Sequence, residues 1–140
     1  MSVYRRTRQG RYRSLWRYYL RQCDAVVYVV DSTDASRLAV AFAELRRLLA
    51  DCALVRRRPR LPLLLVGNKS DRSPPAPGAE WRRLADALCA GCRQVRRPCH
   101  VAAGCSALTG ARLDHAFDWL MRQVAALRPR WYHDNRPTWY

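Results

Sequence analysis

The chain has 140 residues, of which 49% are apolar and 26% charged, enough for one domain with one buried core. This composition excludes a disordered chain, and no apolar run approaches the roughly 20 residues that cross a bilayer. The N-terminus is polar and basic, unlike a secretory leader, so we expect a cytoplasmic protein whose six cysteines are reduced thiols.

The net charge of +15 has two interpretations. A basic balance of this size is typical of proteins that bind nucleic acid or an anionic membrane face. However, 25 of the 26 basic residues are arginine, lysine occurs once, asparagine twice and isoleucine never. Because arginine codons are GC-rich and those of the scarce residues AT-rich, a GC-biased gene explains much of this charge. A basic nucleic-acid-binding protein stays an alternative hypothesis.

Short apolar runs alternate with helical periodicities along the chain. The first run, DAVVYVVD, is typical of a strand buried on both faces of a parallel sheet. Strand and helix alternate three times, which predicts an α/β fold with a parallel sheet and crossover helices. The predicted elements are a strand over Asp24–Asp31, a helix capped by Asp34, a strand over Leu61–Val66, a rigid loop over Ser73–Gly78, a helix over Glu80–Cys92, a strand over Cys99–Ala103, and a last helix with Leu113, Phe117, Leu120, Val124 and Leu127 on one face.

The segment Gly67 to Asp71, GNKSD, directly follows the second predicted strand. Ligands of such sheets bind beyond the carboxyl ends of the strands. An Asp carboxylate accepts from the ring N–H and amino group of guanine together, Asn68 meets the opposite edge, and the stem of Lys69 lies over the ring. Adenine lacks that donor pair, so a site built on Asp71 rejects it by about 10⁴ to 10⁵. The alternative is a polar turn that closes a strand.

Two loops resemble those of small GTPases. Asn68-Lys69-Ser70-Asp71 is similar to the guanine-specificity motif NKxD. After the third predicted strand, the segment CSAL resembles the loop, usually SAK or CAT, whose backbone N–H groups hold the guanine carbonyl oxygen. The resemblance therefore implies that Ser106 and Ala107 bind that oxygen.

Further motifs resemble one family of small GTPases. Gln9–Tyr19, QGRYRSLWRYY, is similar to the Arf-family segment GGQxxxRxLWxxY, and Val29–Asp34, VVDSTD, to its VVDSxD. With Arg37-Leu38 and CSALTG, the sequence most resembles the Golgi Arf-related branch. The resemblance implies a P-loop NTPase type three-layer fold without its N-terminal P-loop and switch I units. Residues 1–128 would be a partial small GTPase domain from switch II onward, and 129–140 a C-terminal tail.

The phosphate-binding parts of that family are missing from this sequence. It contains no GxxxxGK[ST] loop, and its one lysine belongs to the NKSD motif. When Gln9 is aligned with the catalytic Gln of the family, Arg5 takes the place of the Asp of DxxG, and Thr7 and Arg8 take the places of two glycines. Losing about five charge-assisted bonds removes on the order of 10 kcal/mol, against about 12 kcal/mol for nanomolar binding. We therefore expect millimolar or no binding of GTP or GDP, with Mg²⁺ implied by the family alone, and a vestigial, inert Gln9 in place of a catalytic residue.

The resemblance implies a function in GTP-switched recruitment of effectors in vesicle traffic at the Golgi. The implied partners are guanine nucleotide and effector or exchange-factor proteins. Because Ser follows Met1, we expect peripheral membrane association only through partners. We interpret the chain as N-terminally truncated, which leaves the Ala25–Val30 strand with an open edge. The alternative from another class is a nucleotide-independent pseudo-GTPase module that binds partners around Trp16.

A second cluster has the spacing of zinc ligands. Cys89 and Cys92 form a CxxC motif, followed by Cys99 and His100. The first pair falls at a predicted helix end, and the second pair is adjacent rather than spaced. We therefore expect thiols here rather than a metal site.

Overall fold

The computed structural model describes residues 20, 23–50, 60–72, 78–94 and 97–127. Its three strands are parallel, in the order β1-β2-β3, and crossover helices connect them. The predicted parallel α/β fold is therefore confirmed. The elements are β1 (Val26–Asp31), α1 (Ala35–Leu49), β2 (Leu63–Asn68), a 3₁₀ turn (Ser70–Arg72), α2 (Gly78–Gln94), β3 (Cys99–Ala102) and α3 (Leu113–Leu127).

The core lies on both faces of the sheet. On one face, Tyr28 and Val30 of β1 and alternate residues of β2 pack against α1 and α2. On the other face, Leu64 and Val66 pack against α3. Because β2 is central and its residues Leu63 to Val66 are apolar, this part of the strand is buried on both faces, and each of its leucines contributes about 1.5 to 3 kcal/mol. β2 thus fixes the position of the loop that follows it.

The buried faces predicted for β1 and α3 differ from those in the structure. Val27 and Val29 of β1 are 37% and 56% exposed, so β1 is not buried on both faces. The reason is that α3 packs chiefly over β2 and β3. In α3 itself, Phe117 and Leu127 are exposed, and the buried contacts come from Ala116 and Leu120.

Element boundaries also differ from those predicted. β2 begins and ends two residues later than predicted, because its pairing with β1 continues to Asn68, which lies opposite Asp31. Asp34 precedes α1 but its side chain caps no helix N–H. Its carboxylate instead accepts from the Ser36 hydroxyl at 2.7 Å and pairs with Arg37 at 2.5 Å. α2 includes Gly78, while residues 73–77 of the predicted loop lie outside the described residues.

A disulfide between Cys89 and Cys99 joins α2 to β3, with 5.6 Å between their Cα atoms. The expectation of reduced thiols is wrong for this pair. The zinc alternative is also wrong, because successive strand residues point to opposite faces: Cys99 faces α2, whereas His100 stacks on Trp119 of α3 with ring centroids 5.1 Å apart. Burial lowers the pKa of His100.

β1 pairs with β2 alone among the strands that the structure describes. Its other edge therefore has no strand beside it among the residues that the structure describes. None of the described helices is long and apolar enough to span a membrane.

Candidate functional site

Two loops meet at the carboxyl edge of the sheet, where ligands of parallel α/β folds bind. One loop follows β2 and the other, residues 103–109, follows β3. The backbone N–H of Ser70 donates to the carbonyl of Cys105, and the N–H of Cys105 donates to the carbonyl of Gly67, both at 3.0 Å. These two bonds fix the loops side by side, so the predicted residues of both loops lie together at one edge of the sheet.

Asn68 and Ala107 connect the loops directly. The side-chain oxygen Oδ1 of Asn68 accepts from the backbone N–H of Ala107 at 2.8 Å. This N–H is the donor that, by the resemblance to small GTPases, is expected to bind the guanine carbonyl. In this structure the N–H of Ala107 donates to Oδ1 of Asn68. A bound guanine would therefore either replace that oxygen as the acceptor or share the N–H with it.

Asp71 and Ser106 form the second connection. The Ser106 hydroxyl donates to Oδ1 of Asp71, and the same hydroxyl accepts the N–H groups of Leu108 and Thr109 at 3.2 and 3.3 Å. Ser106 is 1% exposed, whereas Asp71 is exposed. The hydrogen bond from Ser106 thus holds Oδ1 of the carboxylate, while its other oxygen, Oδ2, has no hydrogen-bond partner among the described residues. An anchored, exposed carboxylate is the group that accepts a pair of N–H donors.

Lys69 is held in an unusual conformation between these two connections. Its φ of 71° lies in the left-handed region, which costs a residue with a side chain about 1 to 2 kcal/mol. Its ammonium nitrogen lies 2.5 Å from Oδ2 of Asp31, at the end of β1. Burial alone would raise the pKa of Asp31, but hydrogen bonds from Lys69 and Thr33 outweigh it and lower the pKa to about 2. The carboxylate of Asp31 is therefore ionised at neutral pH.

The residues at this edge fit the base of a guanine nucleotide better than its phosphates. Asp71 can accept two donors, and Ala107 carries a donor for a carbonyl. The only lysine of the chain is paired with Asp31. Within the described ranges, no group of three or more His, Cys, Asp or Glu side chains is placed to hold a metal ion.

One predicted site residue, Gln9, lies outside the residues that the structure describes, as does the region around Trp16. Sequence reasoning missed two contributors, Asp31 and Gly67. The sequence places Asp31 at the end of a predicted strand, but its contact with Lys69 depends on the register of β1 against β2. The role of Gly67 depends on its packing against Trp81 and has no sequence signal.

Comparison with known proteins supplies the family. The profile described as Arf, the ADP-ribosylation factor family, matches residues 3–124. The chain belongs to this family. ADP-ribosylation factor-like protein 6 of Danio rerio is 34% identical over 128 residues, which cover 91% of this chain and 64% of that protein. ADP-ribosylation factor-like protein 8b of Arabidopsis thaliana is 36% identical over 115 residues, which cover 81% and 57%.

The fold of this Arf-family chain matches a solved member. The Arl6 BBS3 small GTPase from Trypanosoma brucei, with bound nucleotide analogue GppNp, superposes with a TM-score of 0.68 at 30% identity, over 85% of this chain and 69% of that one. The predicted small GTPase type of P-loop NTPase fold is confirmed. The chain spans less than two thirds of the length of the curated relatives it matches, from 57% to 64%.

Proposed function

We propose that this Arf-family chain binds guanine nucleotides through their base, at the edge formed by the loops after β2 and β3. The observation that carries the proposal is the paired contact between these loops, Asn68 to Ala107 and Ser106 to Asp71. It gathers a carboxylate, an amide side chain and a backbone donor into one polar cluster. These groups complement the donors and the carbonyl of guanine.

The selectivity follows from Asp71. Guanine presents a ring N–H and an amino group side by side, and the carboxylate accepts from both. Adenine presents no such pair, so its binding would leave the carboxylate without donors while covering it from water. Sites built on such groups discriminate strongly.

A substitution that changes the preferred base tests this proposal. Asp71→Asn replaces two acceptors by one acceptor and one donor, which complements xanthine, because xanthine has a carbonyl in place of the guanine amino group. We expect the unchanged chain to prefer guanosine monophosphate (GMP) to xanthosine monophosphate (XMP), and the variant to reverse that preference, with GMP binding weakened about tenfold or more. Chemical-shift titrations measure both affinities.

The matched control is Asp86→Asn on α2, which removes only an exposed carboxylate 3.5 Å from Arg82. We expect it to bind both nucleotides as the unchanged chain does. If Asp71→Asn and Asp86→Asn had the same preference, the assignment of Asp71 to the base would be wrong.

We further propose that the base provides most of the selective binding and that affinity for GTP or GDP is millimolar. The support is the absence of a GxxxxGK[ST] loop from the sequence and the pairing of Lys69 with Asp31. A GTP-dependent switch, Mg²⁺ binding and hydrolysis with Gln9 would all require contacts to the phosphates.

The cellular role that we propose is recruitment of effector or exchange-factor proteins in vesicle traffic, in the cytoplasm and peripherally at the Golgi. Its support is the family membership together with the motifs VVDSTD and CSALTG. Imaging of the tagged chain beside a Golgi marker tests it, and a distribution unrelated to the marker would contradict it.

A further inference from the structure

We infer that Asp31 is a positioning residue of the base site, which holds the side chain of Lys69 in place before any nucleotide arrives. This inference rests on the proposed function. It concerns the turn after β1, to which the site residues predicted from the sequence do not extend.

The strand register brings this turn to the site. Asp31 of β1 lies opposite Asn68 of β2, so both strands end at the same level. The turn at 32–34 therefore lies beside the loop that carries Lys69 and Asp71. On the other side of the same loop lies the segment 105–107. The base-recognition loop is thus held from two sides.

The two carboxylate oxygens of Asp31 bind different residues, Thr33 and Lys69. Oδ1 accepts from the backbone N–H of Thr33 at 3.1 Å and from its hydroxyl at 2.6 Å. Oδ2 lies 2.5 Å from the ammonium nitrogen of Lys69. Because Thr33 fixes the plane of the carboxylate, the oxygen offered to Lys69 has a fixed position.

Ser32 adds a contact to the backbone of the same loop. Its backbone N–H and its hydroxyl both donate to the carbonyl of Asn68, at 3.0 and 2.8 Å. This carbonyl belongs to the peptide group that enters Lys69, whose φ is 71°. The turn after β1 therefore fixes Lys69 at both ends, its backbone through Ser32 and its ammonium through Asp31.

A lysine stem is flexible, and the side chain of Lys69 is 41% exposed, so without a partner it would sample many rotamers. The ion pair restricts Lys69 to rotamers that place its ammonium group at the end of β1. A stem restricted in this way presents a constant apolar surface to a base bound by Asp71. Preorganisation of this kind raises affinity without adding a contact to the ligand.

The test measures GMP and adenosine monophosphate (AMP) binding by chemical-shift titration of the 140-residue chain. We expect Asp31→Asn to weaken GMP binding about threefold to tenfold and to leave AMP unchanged. Asp31→Glu keeps the charge and is expected to restore part of the loss. The matched control is Asp34→Asn, three residues away, whose carboxylate pairs with Arg37 outside the site. It is expected to bind GMP as the unchanged chain does.

A double-mutant cycle separates positioning from a general role in folding. Lys69→Met keeps an unbranched apolar stem but removes the ammonium, so Asp31 has nothing to position. We expect Asp31→Asn to cause no further loss of GMP binding in the Lys69→Met background. An equal loss in both backgrounds would overturn the inference.

The outcomes also separate this inference from the proposed function. If the unchanged chain did not prefer GMP to AMP, the proposed function would be wrong, and the role of Asp31 with it. If the unchanged chain preferred GMP and Asp31→Asn kept the full preference, the role of Asp31 alone would be wrong.

Discussion

Gly67 lies where β2 passes beneath the indole of Trp81, one residue before Asn68. A Cβ built at this glycine would lie 2.6 Å from Cε2 and 2.7 Å from Nε1 of the indole. The ring has little room to move, because Trp81 is 2% exposed and packs against Phe42 with centroids 5.6 Å apart. The absence of a side chain at residue 67 therefore lets β2 carry Asn68 to its place at the sheet edge.

Gly67→Ala is expected to destabilise the fold by about 1 to 3 kcal/mol, since the added methyl group overpacks the core around Trp81. The matched control is Gly91→Ala in α2, where a Cβ would meet nothing within 4 Å. In a helix the same change is expected to stabilise by roughly 0.5 to 1 kcal/mol. Urea unfolding measures both free energies. Equal effects of the two substitutions would contradict the close packing of Gly67.

At the scale of elements, the disulfide between Cys89 and Cys99 ties α2 to the start of β3. The loop after β3 carries Ser106 and Ala107, so this bond lies on the element that supports half of the site. The two cysteines are 10 residues apart, and closing a loop of that size stabilises a fold by about 2 to 3 kcal/mol in the chain-entropy account.

Reduction of this disulfide is expected to lower the free energy of unfolding by about that amount, because the unfolded chain regains the conformations that the bond excludes. Thermal unfolding with and without a phosphine reductant measures the change. The double variant Cys89→Ala with Cys99→Ala is the control, and its melting temperature is expected to be insensitive to reductant. An unchanged chain that is equally insensitive would contradict a contribution of this bond.

The order and type of the elements could be predicted, because each has its own periodicity and the strands are short apolar runs. The end of β2 could not, because Gly67 and Asn68 are poor strand formers that extend the strand only by pairing with β1. The pairing of Cys89 with Cys99 depends on the contact of α2 with β3, which no local pattern shows. The same holds for the exposure of Phe117, which depends on where α3 crosses the sheet.

For the site, the sequence located both loops but not their mutual bonds. The motif NKSD was found from its residue types and its place after a strand, and the segment CSAL from its resemblance to a loop of small GTPases. That Ala107 donates to Asn68, rather than pointing to an empty pocket, follows only from the two loops meeting. The pairing of Lys69 with Asp31 is likewise a product of register.

At the scale of the whole molecule, the charge of +15 affects every test with nucleotides. A surface rich in arginine attracts any phosphate, with little regard to the base. Binding of GTP by itself would therefore say nothing of guanine recognition. Two mononucleotides with the same phosphate and different bases cancel this contribution, and their difference in affinity reports the base site alone.

The most direct test of the central claim, a guanine-selective site between the loops after β2 and β3, is a chemical-shift titration of the chain with GMP and with AMP at equal ionic strength. We expect GMP to shift the amide signals of Lys69, Asp71 and Ala107 with a millimolar dissociation constant, and AMP to leave them in place. Equal shifts with both nucleotides, or none at these three amides with GMP, would contradict the claim.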